Sequence, residues 1–471
     1  MNIKFDAIVI GSGQAGPALA VALAAAGHKT AIIERKFFGG TCVNVGCVPT
    51  KTLIASARAA HVARRAADYG VIIEGEVRVD MARVKARKDA VVSHASLGVT
   101  NWLKDTANLT VIEGHGRFAS AQTVQVNGDL LAADKIFVNV GARAMVPDIP
   151  GLADVDYLTN AGMMEIDYLP EHLVIIGGSY IGLEFAQMYK RFGSRVTVLE
   201  SGPRIVGRED PEVSTALQNI LQQEGIAFWL SAGNLNVAKR DGGVVVSSAS
   251  NGSQAVACSH LLVAVGRVPN TDDLGLDRAG VKTNERGYIE VDDQLCTNVP
   301  GIWALGDANG RGAFTHTAYN DFEIVAANLL DLANGASRRS LKDRIPCYAL
   351  FTDPPLARVG MNTREAQTWM QKTGKKVLIG KMMMTRVGRA RERGETKGFM
   401  RILVDAASKK ILGATLLGIE ADEAIHCILD VMSADAPCSV IQRAMHIHPT
   451  VSELIPTLLG NLQPLTAQTG V

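Results

Sequence analysis

A strand, glycine turn, helix and second strand follow one another twice in this sequence, and that repeat constrains the fold more than any other feature. The first copy, FDAIVIGSGQAGPALAVALAAAGHKTAIIER, ends its second strand in an acid, Glu34. The second copy, HLVIIGGSYIGLEFAQMYKRFGSRVTVLES, occupies residues 172–201 and ends its second strand at Glu200. This βαβ order predicts two parallel sheets, each with a dinucleotide site at its glycine turn.

The first turn places Gly11, Gly13 and Gly16 in the pattern G-x-G-x-x-G. The first glycine permits a tight turn, the second lets a pyrophosphate approach the backbone, and the third lets the helix pack on the strand. The free N–H groups of the helix N-terminus then face the phosphates, and Glu34 is placed to bind a ribose hydroxyl. We therefore expect a dinucleotide at this turn.

The second turn departs from the pattern at one position. Gly177 and Gly182 occupy the first and third glycine positions, but Ser179 stands at the second, where its side chain narrows the space for a pyrophosphate. Glu200 favours NAD over NADP, because a carboxylate pairs with a free 2′-hydroxyl and repels a 2′-phosphate. Arg204 can weaken that preference, so NADP(H) stays open. Two dinucleotides in one chain indicate a hydride donor and a redox relay.

The composition narrows the possible partners. A chain of 471 residues with 47% hydrophobic content is too long for one core, so two to four domains are expected. Its 48 basic and 47 acidic residues give no field that would hold a nucleic acid, and small molecules are the expected partners. No apolar run suggests a membrane span, and seven cysteines are too few for a secreted disulfide scaffold. We expect a cytoplasmic protein.

Two cysteines lie close together in the segment FGGTCVNVGCVPTK, as Cys42 and Cys47. In a regular helix, Cα atoms five residues apart are separated by about 8.7 Å, which exceeds the ~7 Å reach of a disulfide. The neighbouring glycines would let Cys42 lie on an irregular turn and Cys47 begin a helix, whose dipole lowers a thiol pKa. A redox-labile disulfide is expected. Two buried structural thiols stay an alternative, and half a zinc site is disfavoured because no partner pair follows.

A proton acceptor is also needed, because the thiolate is the nucleophile and the leaving thiol must be protonated. The segment HIHPTVSE provides His448, and Glu453 is placed to hold its imidazole in one tautomer. Lys51 lies one helical turn after Cys47, so its ammonium is expected near the same site.

Several further motifs give the sequence a specific resemblance. It resembles the class I pyridine nucleotide-disulfide oxidoreductases, the group of dihydrolipoamide dehydrogenase, glutathione reductase and mercuric reductase. Besides the two glycine turns and the dithiol segment, the resemblance rests on GHGRF at 114–118, VNVGAR at 138–143, VAVGRVPN at 263–270, TNVPGIWALGDANG at 297–310 and HIHPTVSELIPTLLG at 446–460. It extends from about residue 5 to residue 460.

The resemblance implies an α/β fold with two Rossmann-like domains, one for FAD and one for NAD, and a C-terminal α+β dimerisation domain. The implied divisions are an FAD domain over 1–150, an NAD(P) domain over 151–270, a central segment over 271–342 that completes the FAD site, and an interface domain over 343–471. The implied active unit is a homodimer.

The resemblance also assigns roles to residues. Cys47 faces the flavin and Cys42 exchanges with substrate, while Lys51 pairs with Glu184 beside the flavin N5. His448 and Glu453 reach the disulfide of the neighbouring subunit. The expected FAD-binding residues are Gly11, Gly13, Gly16, Glu34, Gly40, Thr41, Lys51, Gly116, Gly141 and Asp307, and the expected NAD-binding residues are Gly177, Ser179, Gly182, Glu200 and Gly266. No metal site is expected.

These roles predict an FAD-dependent NAD(P)H:disulfide oxidoreductase that acts on a small-molecule disulfide or dithiol, as dihydrolipoamide dehydrogenase does. A metal-ion reductase is the alternative, because FTHTAYNDFEIV and FTDPPLARVGM resemble a mercuric-reductase-like branch that includes a copper reductase. Mercuric reductases admit their metal on a vicinal cysteine pair near the C-terminus, and NLQPLTAQTGV has none. A transhydrogenase that works without thiols shares the fold but lacks the cysteine pair.

Overall fold

The computed structural model describes residues 2–240, 242–250, 254–331 and 337–466. Parallel sheets with helices dominate its first part, and an antiparallel sheet with helices forms its last part. The predicted α/β fold is confirmed. Within the described residues, no helix combines the length and the apolar character that a membrane span requires.

The first glycine turn belongs to a five-stranded parallel sheet. The strands of this region are β1 Asn2–Lys4, β2 Ala7–Ile10, β3 Thr30–Glu34, β4 Leu109–Glu113, β5 Arg117–Ser120, β6 Thr123–Val126, β7 Asp129–Ala132, β8 Lys135–Val138 and β9 Ala142–Ala144. Its helices are α1 Gly16–Ala25, α2 Gly40–Asn44, α3 Cys47–Arg64 and α4 Met81–Lys104. Strand β2 is buried along its whole length between β3 and β8, as its continuous apolar sequence AIVI requires.

The second glycine turn belongs to a four-stranded parallel sheet of order β12-β11-β10-β16. The elements of this region are α5 Asn160–Met163, β10 His172–Ile176, α6 Tyr180–Phe192, β11 Arg195–Leu199, α7 Pro211–Gln223, β12 Ala227–Trp229, β13 Leu235–Arg240, β14 Gly243–Ser248, β15 Gln254–Cys258, β16 His260–Val263 and β17 Arg267–Pro269. Strands β13, β14 and β15 form a separate antiparallel sheet. Helix α6 packs against α3 of the first region, so the two glycine-turn units share a helical interface.

The chain then returns to the first sheet. The elements here are α8 Leu276–Ala279, β18 Ile302–Ala304 and α9 Thr315–Ala326. Strand β18 pairs in parallel with β8, and the rings of Trp303 and Phe137 stack with centroids 4.9 Å apart. This pairing completes the sheet in the order β18-β8-β2-β3-β4. It brings the start of α9 to the end of the sheet at which the first glycine turn lies.

A six-stranded antiparallel sheet of order β19-β20-β23-β22-β21-β24 forms the last part. Its elements are β19 Cys347–Leu350, β20 Leu356–Gly360, α10 Thr363–Thr373, β21 Val377–Met383, α11 Gly388–Glu392, β22 Phe399–Asp405, β23 Ile411–Leu417, α12 Ala421–Ala424, α13 His426–Ser433, α14 Ser439–Arg443, α15 Ile455–Leu459 and β24 Gln463–Pro464. Central strand β22 is buried throughout, and helices α12 to α15 cover the same core.

Candidate active site

The two cysteines lie in two consecutive helices. Cys47 is the first residue of α3, as predicted, but Cys42 lies within the short helix α2 and not on the predicted irregular turn. Gly46 lies between the two helices with a non-helical backbone, φ −129° and ψ −118°, so the thiols do not share one helix axis. A hydrogen bond between the thiols, together with burial, raises the pKa of Cys42, and the same bond lowers the pKa of Cys47 to about 6. Cys47 is therefore the thiolate of the pair near neutral pH.

Lys51 and Glu184 form an ion pair that links α3 to α6. The Lys51 Nζ lies 3.0 and 2.9 Å from the two carboxylate oxygens of Glu184, whose side chain is buried. The backbone N–H of Phe351 also donates to Glu184, at 3.0 Å, and the Phe351 ring lies 4.5 Å below the Lys51 ammonium. The charge of Lys51 further lowers the pKa of Cys47. Phe351 was not predicted from the sequence, although it begins the segment FTDPPLARVGM.

The first glycine turn lies directly against the dithiol segment. Gly40 has a φ of +62°, and a Cβ built there would lie 2.8 Å from the Cα of Gly13. Gly11 has a φ of +100°, and a Cβ there would lie 2.3 Å from the carbonyl oxygen of Asn139. The Asn139 side chain accepts a hydrogen bond from the N–H of Gly16 at 2.9 Å. Backbone thus approaches backbone at a helix N-terminus, which is the cradle that a pyrophosphate requires.

Two carboxylates flank that cradle. Glu34 ends β3, and its carboxylate accepts hydrogen bonds from the backbone and hydroxyl of Ser12 at 2.9 and 2.7 Å. Asp307 lies after β18, and burial raises its pKa while Arg267, 3.1 Å away, opposes that effect. A buried acid at this edge fits a ligand with hydroxyl groups. Arg267 and Asn139 were not predicted from the sequence, although they lie within the motifs VAVGRVPN and VNVGAR.

The remaining residues predicted for FAD occupy different surroundings. Thr41 is in α2, next to Cys42. A Cβ on Gly116 would approach the Ile33 side chain of β3 at 3.2 Å, so this glycine packs against the sheet. Gly141 has a φ of +67°, and a Cβ there would meet nothing within 4 Å, so space is open beside it. Of these residues, Gly141 leaves open space, and a role for Thr41 and Gly116 in FAD binding stays a prediction.

The second glycine turn repeats the geometry of the first. A Cβ on Gly182 would lie 2.0 Å from the carbonyl oxygen of Gly177, so only glycine fits there. Ser179 precedes α6 with an exposed side chain that makes no capping hydrogen bond. The Glu200 carboxylate accepts hydrogen bonds from backbone N–H groups on both sides, those of Gly178 and Gly202 at 2.8 and 2.7 Å. Gly266 follows β16 and has a φ of +146°. A Cβ built there would lie 3.5 Å from the methyl carbon of Met145.

His448 and Glu453 form a second, separate pair. The His448 Nδ1 lies 2.9 Å from a carboxylate oxygen of Glu453. The imidazole is 79% exposed and the carboxylate 14% exposed. No hydrogen bond of the described residues joins this pair to Cys42 or Cys47 within one chain.

Comparison with known families decides what this arrangement belongs to. The family described as pyridine nucleotide-disulphide oxidoreductase matches residues 5–321, and its dimerisation domain matches residues 347–459. The chain belongs to this family. The predicted family is confirmed, and with it the use of FAD and a pyridine nucleotide. The matched dimerisation domain supports a homodimer.

Individual relatives within the family cover nearly the whole chain. The probable pyridine nucleotide-disulfide oxidoreductase RclA of Escherichia coli is 35% identical, over 97% of this chain and 99% of that protein. A mercuric reductase of Streptomyces lividans is 35% identical, over 96% and 94%, and a dihydrolipoyl dehydrogenase of Cupriavidus necator is 33% identical, over 97% and 97%. The solved structure of RclA, an HOCl-induced flavoprotein disulfide reductase, superposes with a TM-score of 0.87 at 35% identity, covering 97% of this chain and 99% of that one.

Proposed function

We propose that this oxidoreductase transfers hydride from NADH, through FAD, to a Cys42–Cys47 disulfide, and that the resulting dithiol reduces a small-molecule disulfide. The proximity of the Cys42 and Cys47 thiols, one in α2 and the other at the start of α3, is the observation on which the proposal rests. The similar protein RclA bears the description flavoprotein disulfide reductase, which supports the same reaction class. The overall reaction is NADH, a proton and a disulfide giving NAD⁺ and two thiols.

FAD, when bound, supplies the two-electron relay between the nicotinamide and the cysteine pair. Of the two reduced sulfurs, Cys47 holds the negative charge, since the Cys42 thiol donates a hydrogen bond to it. Lys51 adds a positive charge to the same region, and Glu184 holds that ammonium in place. This arrangement leaves Cys42 as the sulfur that exchanges with substrate.

The exchange proceeds in two balanced steps. Cys42 gives its proton to the neutral imidazole of His448, attacks one substrate sulfur and forms a mixed disulfide, and the departing thiolate takes the proton back from His448. The Cys47 thiolate then attacks the Cys42 sulfur, which re-forms the Cys42–Cys47 disulfide and expels the second substrate sulfur as a thiolate. In this scheme His448 comes from the second subunit, and Glu453 fixes its tautomer.

Reduction of a metal ion is a second candidate. Its support is that the similar RclA structures include Cu(II) complexes and that a mercuric reductase is among the relatives. A metal ion would then be the electron acceptor in place of the disulfide. A transhydrogenase that needs no thiols is disfavoured, because it would give Cys42 and Cys47 no role.

A panel of electron acceptors tests the proposed function. The FAD-loaded protein is reduced anaerobically with NADH and then offered lipoamide, glutathione disulfide, Cu(II) or Hg(II). We expect turnover with at least one disulfide, and we expect Cys42→Ser to abolish it while flavin reduction by NADH persists. Turnover with metal ions alone would favour the second candidate. Disulfide turnover that survives in Cys42→Ser would contradict the proposed role of the pair.

A further inference from the structure

The hydroxyl group of Thr315 lies beside the active-site thiols. Thr315 is the first residue of α9, and its Oγ1 is 3.2 Å from the Sγ of Cys47, the first residue of α3. Two helix N-termini that are 268 residues apart in the chain therefore meet at one sulfur atom. Thr315 lies in the segment FTHTAYNDFEIV, and no sequence pattern assigns this threonine a role.

The local structure leaves the Thr315 hydroxyl available to donate a hydrogen bond to sulfur. The neighbouring Thr317 makes the capping hydrogen bonds of α9, with the backbone N–H and carbonyl of Phe314. Among the described residues, Thr315 makes no side-chain hydrogen bond outside the thiol pair. A threonine hydroxyl has one proton to donate, and its strongest available acceptor here is a thiolate.

The groups that face Cys47 divide into those that stabilise its negative charge and those that oppose it. The Cys42 thiol, the Thr315 hydroxyl and the Lys51 ammonium lower the pKa of Cys47, whereas burial and the Glu184 carboxylate raise it. Lys51 is also shared with Glu184 through two short contacts. The neutral hydrogen-bond donors to this sulfur are thus Cys42 and Thr315.

One step of the proposed reaction removes the first of those donors. In the mixed disulfide, the Cys42 sulfur is bonded to substrate and has no proton to donate, yet Cys47 must stay ionised to attack it. We propose that Thr315 is a catalytic residue, whose hydroxyl donates a hydrogen bond to the Cys47 thiolate and keeps it ionised while Cys42 is bonded to substrate. This inference rests on the proposed function of the cysteine pair.

The test uses Cys42→Ala in the FAD-loaded protein, because alanine removes the Cys42 proton as the mixed disulfide does. The ionisation midpoint of Cys47 is read from the thiolate–flavin charge-transfer absorbance against pH, and independently from the rate of iodoacetamide alkylation of Cys47 by mass spectrometry. We expect Thr315→Val in this background to raise the midpoint by about one pH unit, a tenfold loss of thiolate below it. Thr315→Ser, which keeps the hydroxyl, should restore the original midpoint.

Two controls separate this effect from other causes. Thr317→Val removes a hydroxyl from the same helix end without touching sulfur, and it should leave the Cys47 midpoint unchanged. Bound FAD, measured by absorbance, shows whether each variant is folded, and Thr315→Ala replaces Thr315→Val if the valine variant lacks FAD. An unchanged midpoint in a folded variant without the Thr315 hydroxyl would overturn the inference. Failure of the proposed function would appear separately, as full disulfide turnover in Cys42→Ala alone.

Discussion

At the scale of single residues, two carboxylates at equivalent positions bind the two glycine turns in the same way. Glu34 is the last residue of β3 and Glu200 directly follows β11, and each accepts a backbone N–H from the turn, those of Ser12 and Gly178. Both are therefore held where a ribose would approach. Because the Glu200 charge disfavours a 2′-phosphate at the second turn, a preference for NADH over NADPH stays our prediction.

We expect NADH to reduce the flavin with a higher kcat/KM than NADPH. In Glu200→Gln, which keeps an oxygen acceptor but loses the charge, the preference should narrow by roughly tenfold, about 1.4 kcal/mol of differential binding. The narrowing should come from a lower KM for NADPH, measured by anaerobic stopped-flow reduction with each nucleotide.

Glu171→Gln is the matched control for this change. Glu171 is an exposed acid next to β10 that pairs with Arg195, so its neutralisation alters the charge of the same domain at a distance from the turn. It should leave the nucleotide preference unchanged. A wild-type kcat/KM for NADPH equal to or above that for NADH would show that Glu200 does not select the nucleotide.

Pairs of reactive residues that lie close together in the chain could be predicted from the sequence. Cys42 with Cys47 and His448 with Glu453 are five residues apart in each case, and the structure places the members of each pair close to one another. Thr315 was not predicted, because a neutral hydroxyl 268 residues from Cys47 gives no signal before the helices are docked.

At the scale of secondary structure elements, one loop connects three parts of the molecule. The loop between β19 and β20 spans residues 351–355 and belongs to the antiparallel sheet. The Asp353 carboxylate binds Arg58 of α3 and Arg191 of α6, at 2.5 and 2.6 Å, and its backbone exchanges two hydrogen bonds with Gln187. The loop therefore holds α3 and α6 together next to the Lys51 and Glu184 pair. No sequence pattern predicted it, because its partners are 162 or more residues away.

Asp353→Asn should weaken this junction. The ion pairs of Asp353 are partly buried, and Arg191 and Arg58 keep Glu224 and Glu395 as partners in the variant. Loss of the charged hydrogen bonds of Asp353 should therefore cost roughly 1.5–3 kcal/mol, so we expect a lower thermal unfolding midpoint for the FAD-loaded protein at pH 7. Although burial acts to raise it, the charges of Arg191 and Arg58 lower the pKa of Asp353. The stabilisation is thus present above the unfolded-state pKa and is lost as pH falls through the folded-state pKa.

The difference in thermal unfolding midpoint between Asp353→Asn and wild type should accordingly shrink in acid, below about pH 4. Asp68→Asn serves as control, since Asp68 makes an exposed ion pair with Arg65 that should contribute less than about 1 kcal/mol. Equal melting shifts for the two variants at pH 7 would contradict the assigned importance of the loop.

At the scale of the whole molecule, the acid–base pair lies on a surface that one chain leaves uncovered. Met445 is 99% exposed and Ile447 is 79% exposed, and both lie beside the exposed imidazole of His448. Apolar side chains exposed in this way mark an interaction surface. The segment lies within the dimerisation domain, which supports a second copy of this chain as its partner. The proposed active site is then complete only in the dimer.

Mixed dimers test whether two subunits share each active site. Subunits with Cys42→Ser and subunits with His448→Ala are co-expressed with different affinity tags, and the heterodimer is purified through both tags. The Cys42→Ser homodimer should lack disulfide turnover. In the His448→Ala homodimer, the rate of disulfide turnover should fall by roughly 10²–10⁴-fold. In the heterodimer, the intact thiols of one subunit meet the intact His448 of the other at one of two sites. We predict about half of the wild-type disulfide turnover per dimer, and a heterodimer as inactive as both parents would contradict the shared site.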